Sequence, residues 1–160
     1  MKLLLSFIYT LFFFSNPDIS EIRKAYPNVA SSEANAKDFV AILAAVSNDD
    51  TKVLVAYKGA SITILSKYIK KISDKIKNFK EGAKLLEFAV ANEPNNIEIR
   101  LIRLSVQENT PKIVGYNKNK KEDVVFILAH YKEQTKALKD YLKSFILQSK
   151  SFSDKEKQAL

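Results

Sequence analysis

Along almost the whole chain, apolar residues recur at steps of three and four, the period of a helix that buries one face. Asp18-Ile19-Ser20-Glu21 opens the first such stretch with a capping residue followed three positions later by Glu. That stretch stops before Pro27, because the residue preceding a proline is pushed out of helical geometry. Ser31-Ser32-Glu33 starts a second helix, expected to run to about Val46 with Phe39, Ile42, Leu43 and Val46 inward.

After the Asn48-Asp49-Asp50 loop, the pattern predicts one helix from Thr51 to about Ile76, bent near Gly59. Val53 to Tyr57 would also suit a strand, but the helical spacing of Leu54, Tyr57, Ser61, Leu65 and Tyr68 decides against it. Ala56, Gly59, Ala60 and Thr63 are small and invite close approach of another helix. Ile62, Leu65, Ile69, Ile72, Ile76 and Phe79 form a stripe, opposite an arc of Lys67, Lys70, Lys71, Lys75 and Lys77. A helix over 79–92 follows, with Ala83, Leu86, Ala89 and Val90 inward, and Glu93-Pro94-Asn95-Asn96 stops it.

The segment from Asn96 to Glu108 carries two apolar stripes. One is Ile97, Leu101 and Leu104; the other is Ile99, Ile102 and Val106. A strand would explain Ile97-Glu98-Ile99-Arg100-Leu101 equally well, but a lone strand has no partner. Two apolar faces predict a central helix packed on both sides. Pro111 to Tyr116 reads as a helical turn and 115–121 as a lysine/asparagine loop. A long helix is expected from Glu122 to Gln148, on the recurrence of Val124, Tyr131, Leu138 and Phe145. Ser153-Asp154-Lys155-Glu156 has capping-box form and begins a short terminal helix. The fold class is therefore all-α, an antiparallel bundle or short array of about six to seven helices.

The N-terminus breaks this pattern. Lys2 precedes an apolar run from Leu3 to Phe14, which ends at Ser15-Asn16-Pro17. A positive charge, a short apolar stretch and a polar break match a secretory signal peptide. The run is worth about 18 Å of helix against a hydrocarbon core of about 30 Å, so export outranks a spanning anchor. Cleavage near Ser15 leaves residues 16–160 as a single exported domain, in the periplasm or at the cell surface. Phe13, bulky where a small residue is preferred, keeps retention of the segment open.

Composition narrows the chemistry. The absence of cysteine excludes disulfides, thiolate metal sites, thiol nucleophiles and a lipidated cysteine. Net charge is +8, yet of 26 basic residues only Arg23, Arg100 and Arg103 are arginine. Nucleic-acid readers favour arginine for its bidentate fork, so no nucleic-acid partner is expected. Gly-rich phosphate loops, HExxH and Gly-x-Ser-x-Gly patterns are absent, and no metal or cofactor is expected. His130 has no flanking motif. Glu122-Asp123 reads as charge complementing a helix N-terminus.

Two resemblances bear on class. Gly82, Leu86, Ala89 and Pro94-Asn95 resemble the second helix and following turn of a tetratricopeptide repeat, which implies peptide or protein binding. The likeness is confined to that stretch, without a repeat period near about 34 residues. From Glu93-Pro94-Asn95-Asn96-Ile97 through Ser105-Val106-Gln107-Glu108-Asn109, the chain is similar to short uncharacterised bacterial proteins with a signal-like N-terminus. That resemblance implies an all-helical fold and no assigned activity.

The leading candidate for a site is Arg100, Arg103 and Gln107, at about 300°, 240° and 280° round the helix from Ile97. They offer donors for an anion or carboxylate pocket. The competing expectation is internal pairing with Glu87, Glu93 or Glu108, since buried arginines need partners. The lysine arc is either a solvated face or an attraction for anionic lipid or acidic partners. The sequence thus predicts an exported, non-enzymatic interaction module using the arginine stripe and a groove beside Ala56, Gly59 and Ala60. The alternatives are a periplasmic enzyme using His130 or a carboxylate, and an envelope-associated structural protein touching anionic lipid.

Overall fold

The computed structural model describes residues 17–160; the apolar run of the signal-like segment and Ser15 lie outside the described residues. Eight α-helices, joined by short 3-10 turns and loops, make up the described chain: α1 Ile19–Ala25, α2 Glu33–Ile42, α3 Lys52–Leu65, α4 Ile72–Asn92, α5 Ile97–Asn109, α6 Lys120–His130, α7 Lys136–Gln148 and α8 Asp154–Gln158. The all-α class is as the periodicity predicts.

Helix starts fall where capping residues stand. The Asp18 carboxylate accepts from the Ser20 amide, Ser32 from the Asn35 amide, and Asn96 from the amides of Glu98 and Ile99. Ser153 and Glu156 form the reciprocal capping box. Gly115 takes the left-handed conformation, φ 74°, that closes the 3-10 turn Lys112–Val114.

Two long helices predicted as continuous are each broken. Residues 51–76 form α3, a 3-10 turn over Ser66–Tyr68 and the first residues of α4. No glycine or proline marks this break. Thr63 and Ser66 turn their hydroxyls back onto the carbonyls of Ala60 and Thr63, and the Tyr68 hydroxyl donates to the Ala30 carbonyl at 2.8 Å, fastening the turn. The stripe from Ile62 to Phe79 is therefore shared between two antiparallel helices. Likewise, 122–148 is split by the 3-10 turn Tyr131–Glu133, where the Gln134 amide nitrogen donates to the His130 carbonyl. Val124, Tyr131, Leu138 and Phe145 still line one core, but from two helices and the turn between them.

Small residues set the tightest packing. Gly59 and Gly82 meet where α3 and α4 cross: a Cβ on Gly59 would fall 2.6 Å from the Gly82 carbonyl oxygen, and one on Gly82 would fall 2.5 Å from that of Gly59. Both glycines are needed for this approach. The groove expected beside Ala56, Gly59 and Ala60 is consequently filled by α4, and all three residues are buried. Ile42, expected inward, is half exposed at 51%, because α2 ends there and only Phe39, Leu43 and Val46 reach the core. Ala83 is partly covered rather than buried.

Helix α5 is the central wall. Every residue from Ile97 to Gln107 is buried. Ile99, Ile102 and Val106 enter a core built with α1–α4, whereas Ile97, Leu101 and Leu104 enter a second core with α6, α7 and Phe152. These are the two stripes legible in the sequence. Glu98 and Ser105 occupy one seam between the cores, at about 80–100° from Ile97; Arg100, Arg103 and Gln107 occupy the other, at about 240–300°.

Candidate functional site

On the arginine seam, the central acceptor is Asp123 of α6, a carboxylate with no solvent exposure. Arg103 grips it with two donors, Nε to Oδ2 at 2.8 Å and Nη2 to Oδ1 at 2.6 Å. Arg100 adds Nη1 to Oδ1 at 3.1 Å, reaches Glu122 with the same nitrogen, and donates Nε to the Pro94 carbonyl at 2.8 Å. Arg103 Nη1 also meets Glu87 Oε2 of α4 at 3.2 Å, and Glu87 in turn accepts from the Tyr116 hydroxyl.

Burial alone would pull the Arg103 guanidinium down; the hydrogen bonds and charge of Asp123, then Glu87, outweigh it and hold Arg103 above its ordinary value. Hydrogen bonds from Asn119 and then Arg100 hold the Glu122 carboxyl below its usual range. Burial, followed by the bond to Glu87, pushes the Tyr116 hydroxyl up.

The arginines are thus spent on internal carboxylates. Of the partners foreseen in the sequence, Glu87 takes part. Glu93 instead bonds Asn96, and Glu108 accepts from Ser149 and the Ser151 amide. The acid at the centre, Asp123, was legible only as helix N-terminal charge. Gln107 lies one turn beyond Arg103, buried, with its Oε1 accepting no hydrogen bond.

The opposite seam holds a cluster with no sequence expectation attached. Glu98 is 2% exposed. Its Oε1 accepts from Arg23 Nε and from the Tyr57 hydroxyl, both at 2.8 Å, and its Oε2 accepts from Arg23 Nη2 at 2.5 Å. Tyr57 exchanges a further hydrogen bond with Tyr141 of α7 at 2.9 Å. Burial raises both hydroxyls well above the ordinary tyrosine value. Nearby, Tyr26 and Ser105 share a hydrogen bond of 2.6 Å, and burial pushes Tyr26 up to about 12. The overlooked signal was Glu98 itself, an acid lodged between the isoleucines of a helix apolar on two sides.

His130 ends α6. Its Nδ1 lies 2.8 Å from Glu133 Oε2, and its ring leans on Phe126, centroids 4.4 Å apart. Arg100 covers the Phe126 ring at 5.1 Å. An open cleft beside it is lined by Lys121, Glu122, Val125, Phe126, Ala129 and His130. No serine or threonine lines that cleft. Among the described residues, no group of three or more His, Asp or Glu side chains is placed to hold a metal ion.

The lysines sit apart from both seams. Lys67, Lys70, Lys71 and Lys77 are exposed on the α3–α4 turn and the start of α4, with Lys75 partly covered. Lys71 is 3.6 Å from Asp74, and Lys67 lies over the Tyr68 ring. In comparisons with known proteins, no family, no curated protein and no solved structure matches the chain.

Proposed function

We propose that the chain is an exported interaction module without catalytic activity of its own. One observation carries this reading: the buried charges close on one another, leaving contact chemistry at the surface, where lysines and exposed isoleucines lie. All three arginines are engaged with carboxylates, which leaves none free to grip phosphate or a base edge. The run from Leu3 to Phe14 supports export to the periplasm or cell surface.

Fractionation of cells producing the full chain, with N-terminal sequencing of the exported form, tests the reading. The expected product begins near residue 16 and appears outside the cytoplasm. A full-length cytoplasmic product would contradict export. The contact role is tested separately, by in-cell cross-linking through the surface lysines.

The His130–Glu133 pair supports a second reading, a periplasmic enzyme with His130 as base, since a carboxylate at hydrogen-bond distance can orient an imidazole. A hydrolase substrate panel run on the exported protein and on His130→Gln separates the two. Turnover lost in the variant would favour the enzyme.

A further inference from the structure

The stripe of α4 outruns its cover. Ile72, Ile76, Phe79, Ala83, Leu86 and Val90 fall within about 80° of one another round the helix. Leu86 and Val90 are buried in the first core, but Ile76 is 48% and Ile72 65% exposed. The apolar face therefore continues past its cover for about one turn, from Ile76 back to Ile72.

A second apolar group adjoins it. The Tyr116 ring packs edge-on against Phe79, centroids 5.7 Å apart, so the loop after α5 lies beside the turn of α4 that carries Ile76. That loop holds Ile113, 95% exposed, and the exposed Val114. Isoleucines exposed singly would need no explanation, but Ile76 and Ile113 each stand three residues along the chain from the two rings in contact, Phe79 and Tyr116.

Charge identifies the occupant. Lys75 and Lys80 flank the isoleucine stripe on its two sides, and Lys71, Lys84 and Lys77 lie farther round, about 100–140° from its centre. Within 67–84 seven lysines stand against only Asp74 and Glu81, and Lys112 precedes Ile113. Apolar side chains bordered by lysines on a helix face match a helix lying in the plane of a bilayer surface. The isoleucines would enter the acyl boundary while the lysine stems snorkel to the headgroups. An acidic protein groove would engage the lysines but has less use for the bare tip of Ile113.

We infer that the start of α4, with the Ile113 loop, docks the protein on an anionic lipid surface. This deepens the interaction-module reading by naming the partner, and rests on it.

The chain has no cysteine, so Ile76→Cys and Ile113→Cys each give the full-length protein one site for an environment-sensitive fluorophore. Ile42→Cys is the control, exposed at the end of α2, a helix that carries none of the stripe. Vesicles of equal parts phosphatidylglycerol and phosphatidylcholine should shift the emission at 76 and 113 to the blue, and leave 42 unchanged. The shift should vanish with phosphatidylcholine alone and fade as salt rises. Lys75→Gln and Lys80→Gln should each weaken vesicle binding about fivefold. These are surface changes, and circular dichroism confirms that the labelled proteins remain folded.

Emission at 76 and 113 unchanged by anionic vesicles would overturn the proposal, as would an equal shift at 42. A shift produced only by an envelope protein extract would overturn it too, in favour of a protein partner. Binding through residues 1–16 alone would leave the labels at 76 and 113 no different from the label at 42. Export is read in the separate fractionation, so failure of lipid docking and failure of the module reading remain distinguishable.

Discussion

At one seam of α5 a single carboxylate, Glu98, is buried against one arginine and the hydroxyl of Tyr57, which continues to Tyr141. At the other, two arginines of the same helix converge on a carboxylate brought by α6. Each network joins both cores: Arg23 and Tyr57 come from the first half and Tyr141 from the second, while Glu87 comes from the first and Asp123 from the second. The difference lies in what remains if the acid is lost. Arg23 keeps a quarter of its side chain in water, but Arg100 and Arg103 are almost wholly enclosed. The Glu98 seam can therefore relax toward solvent, and the Asp123 seam cannot.

The largest effect should come from Asp123→Ala, which takes from two nearly enclosed guanidinium groups the one fully buried carboxylate they share, leaving Arg100 to Glu122 and Arg103 to Glu87 at the edge of the seam. A loss of about 3–5 kcal/mol is expected in urea unfolding. A loss as small as that of an ordinary surface change would show that the arginines find other partners.

Next should come Gly82→Ala. Its added Cβ must push α3 and α4 apart where backbone, not a movable side chain, stands in the way. A loss of about 1–3 kcal/mol is expected, with amide-exchange protection falling first across α3 and α4.

Glu98→Gln should cost less, about 1–2 kcal/mol, because Arg23 reaches water and the Tyr57 hydroxyl can still donate to the amide oxygen. If this variant proved as damaging as Asp123→Ala, the contrast between the seams would fail.

Alkaline pH acts on both seams, since burial also raises the Tyr116 hydroxyl that bonds Glu87 on the arginine seam. Burial raises Tyr57, Tyr141 and Tyr26 above the ordinary 10.0, Tyr26 to about 12. Because the folded form holds these protons more tightly, their contribution to stability is complete below pH 10 and is lost as pH climbs through the folded values. The urea midpoint should accordingly fall above pH 10, and less steeply in Tyr57→Phe. Glu122 has the opposite sign. Its lowered carboxyl supports the fold above the ordinary 4.5, and that support is lost as pH falls through the folded value. Since Glu122 is more than half exposed, its acid effect should be the smallest of these.

Much of this architecture was legible from residue spacing. The caps at Asp18, Ser32, Asn96 and Ser153, the two stripes of α5 and the close approach at Gly59 all follow from local chemistry. The breaks after Leu65 and His130 do not. Both lie in sequences without glycine or proline, where hydroxyl and amide side chains turn back onto the backbone. The seams were half visible. Arg100 and Arg103 announced a need for partners, and Glu87 was foreseen, but Asp123 stood beside Glu122 at a helix start, where acids need no other reason. Glu98 was hidden by the alternation around it, because its partners lie in α1, α3 and α7, far away along the chain.

Helix α5 is a shared wall whose arginine seam is an internal brace. A double-mutant cycle on Arg103→Met and Asp123→Ala, read by urea unfolding, tests it most directly. The double variant should be more stable than the two separate losses imply, with a coupling of about 1–3 kcal/mol. Losses that add to within about 0.5 kcal/mol would contradict it, leaving Arg103 without an energetic tie to Asp123.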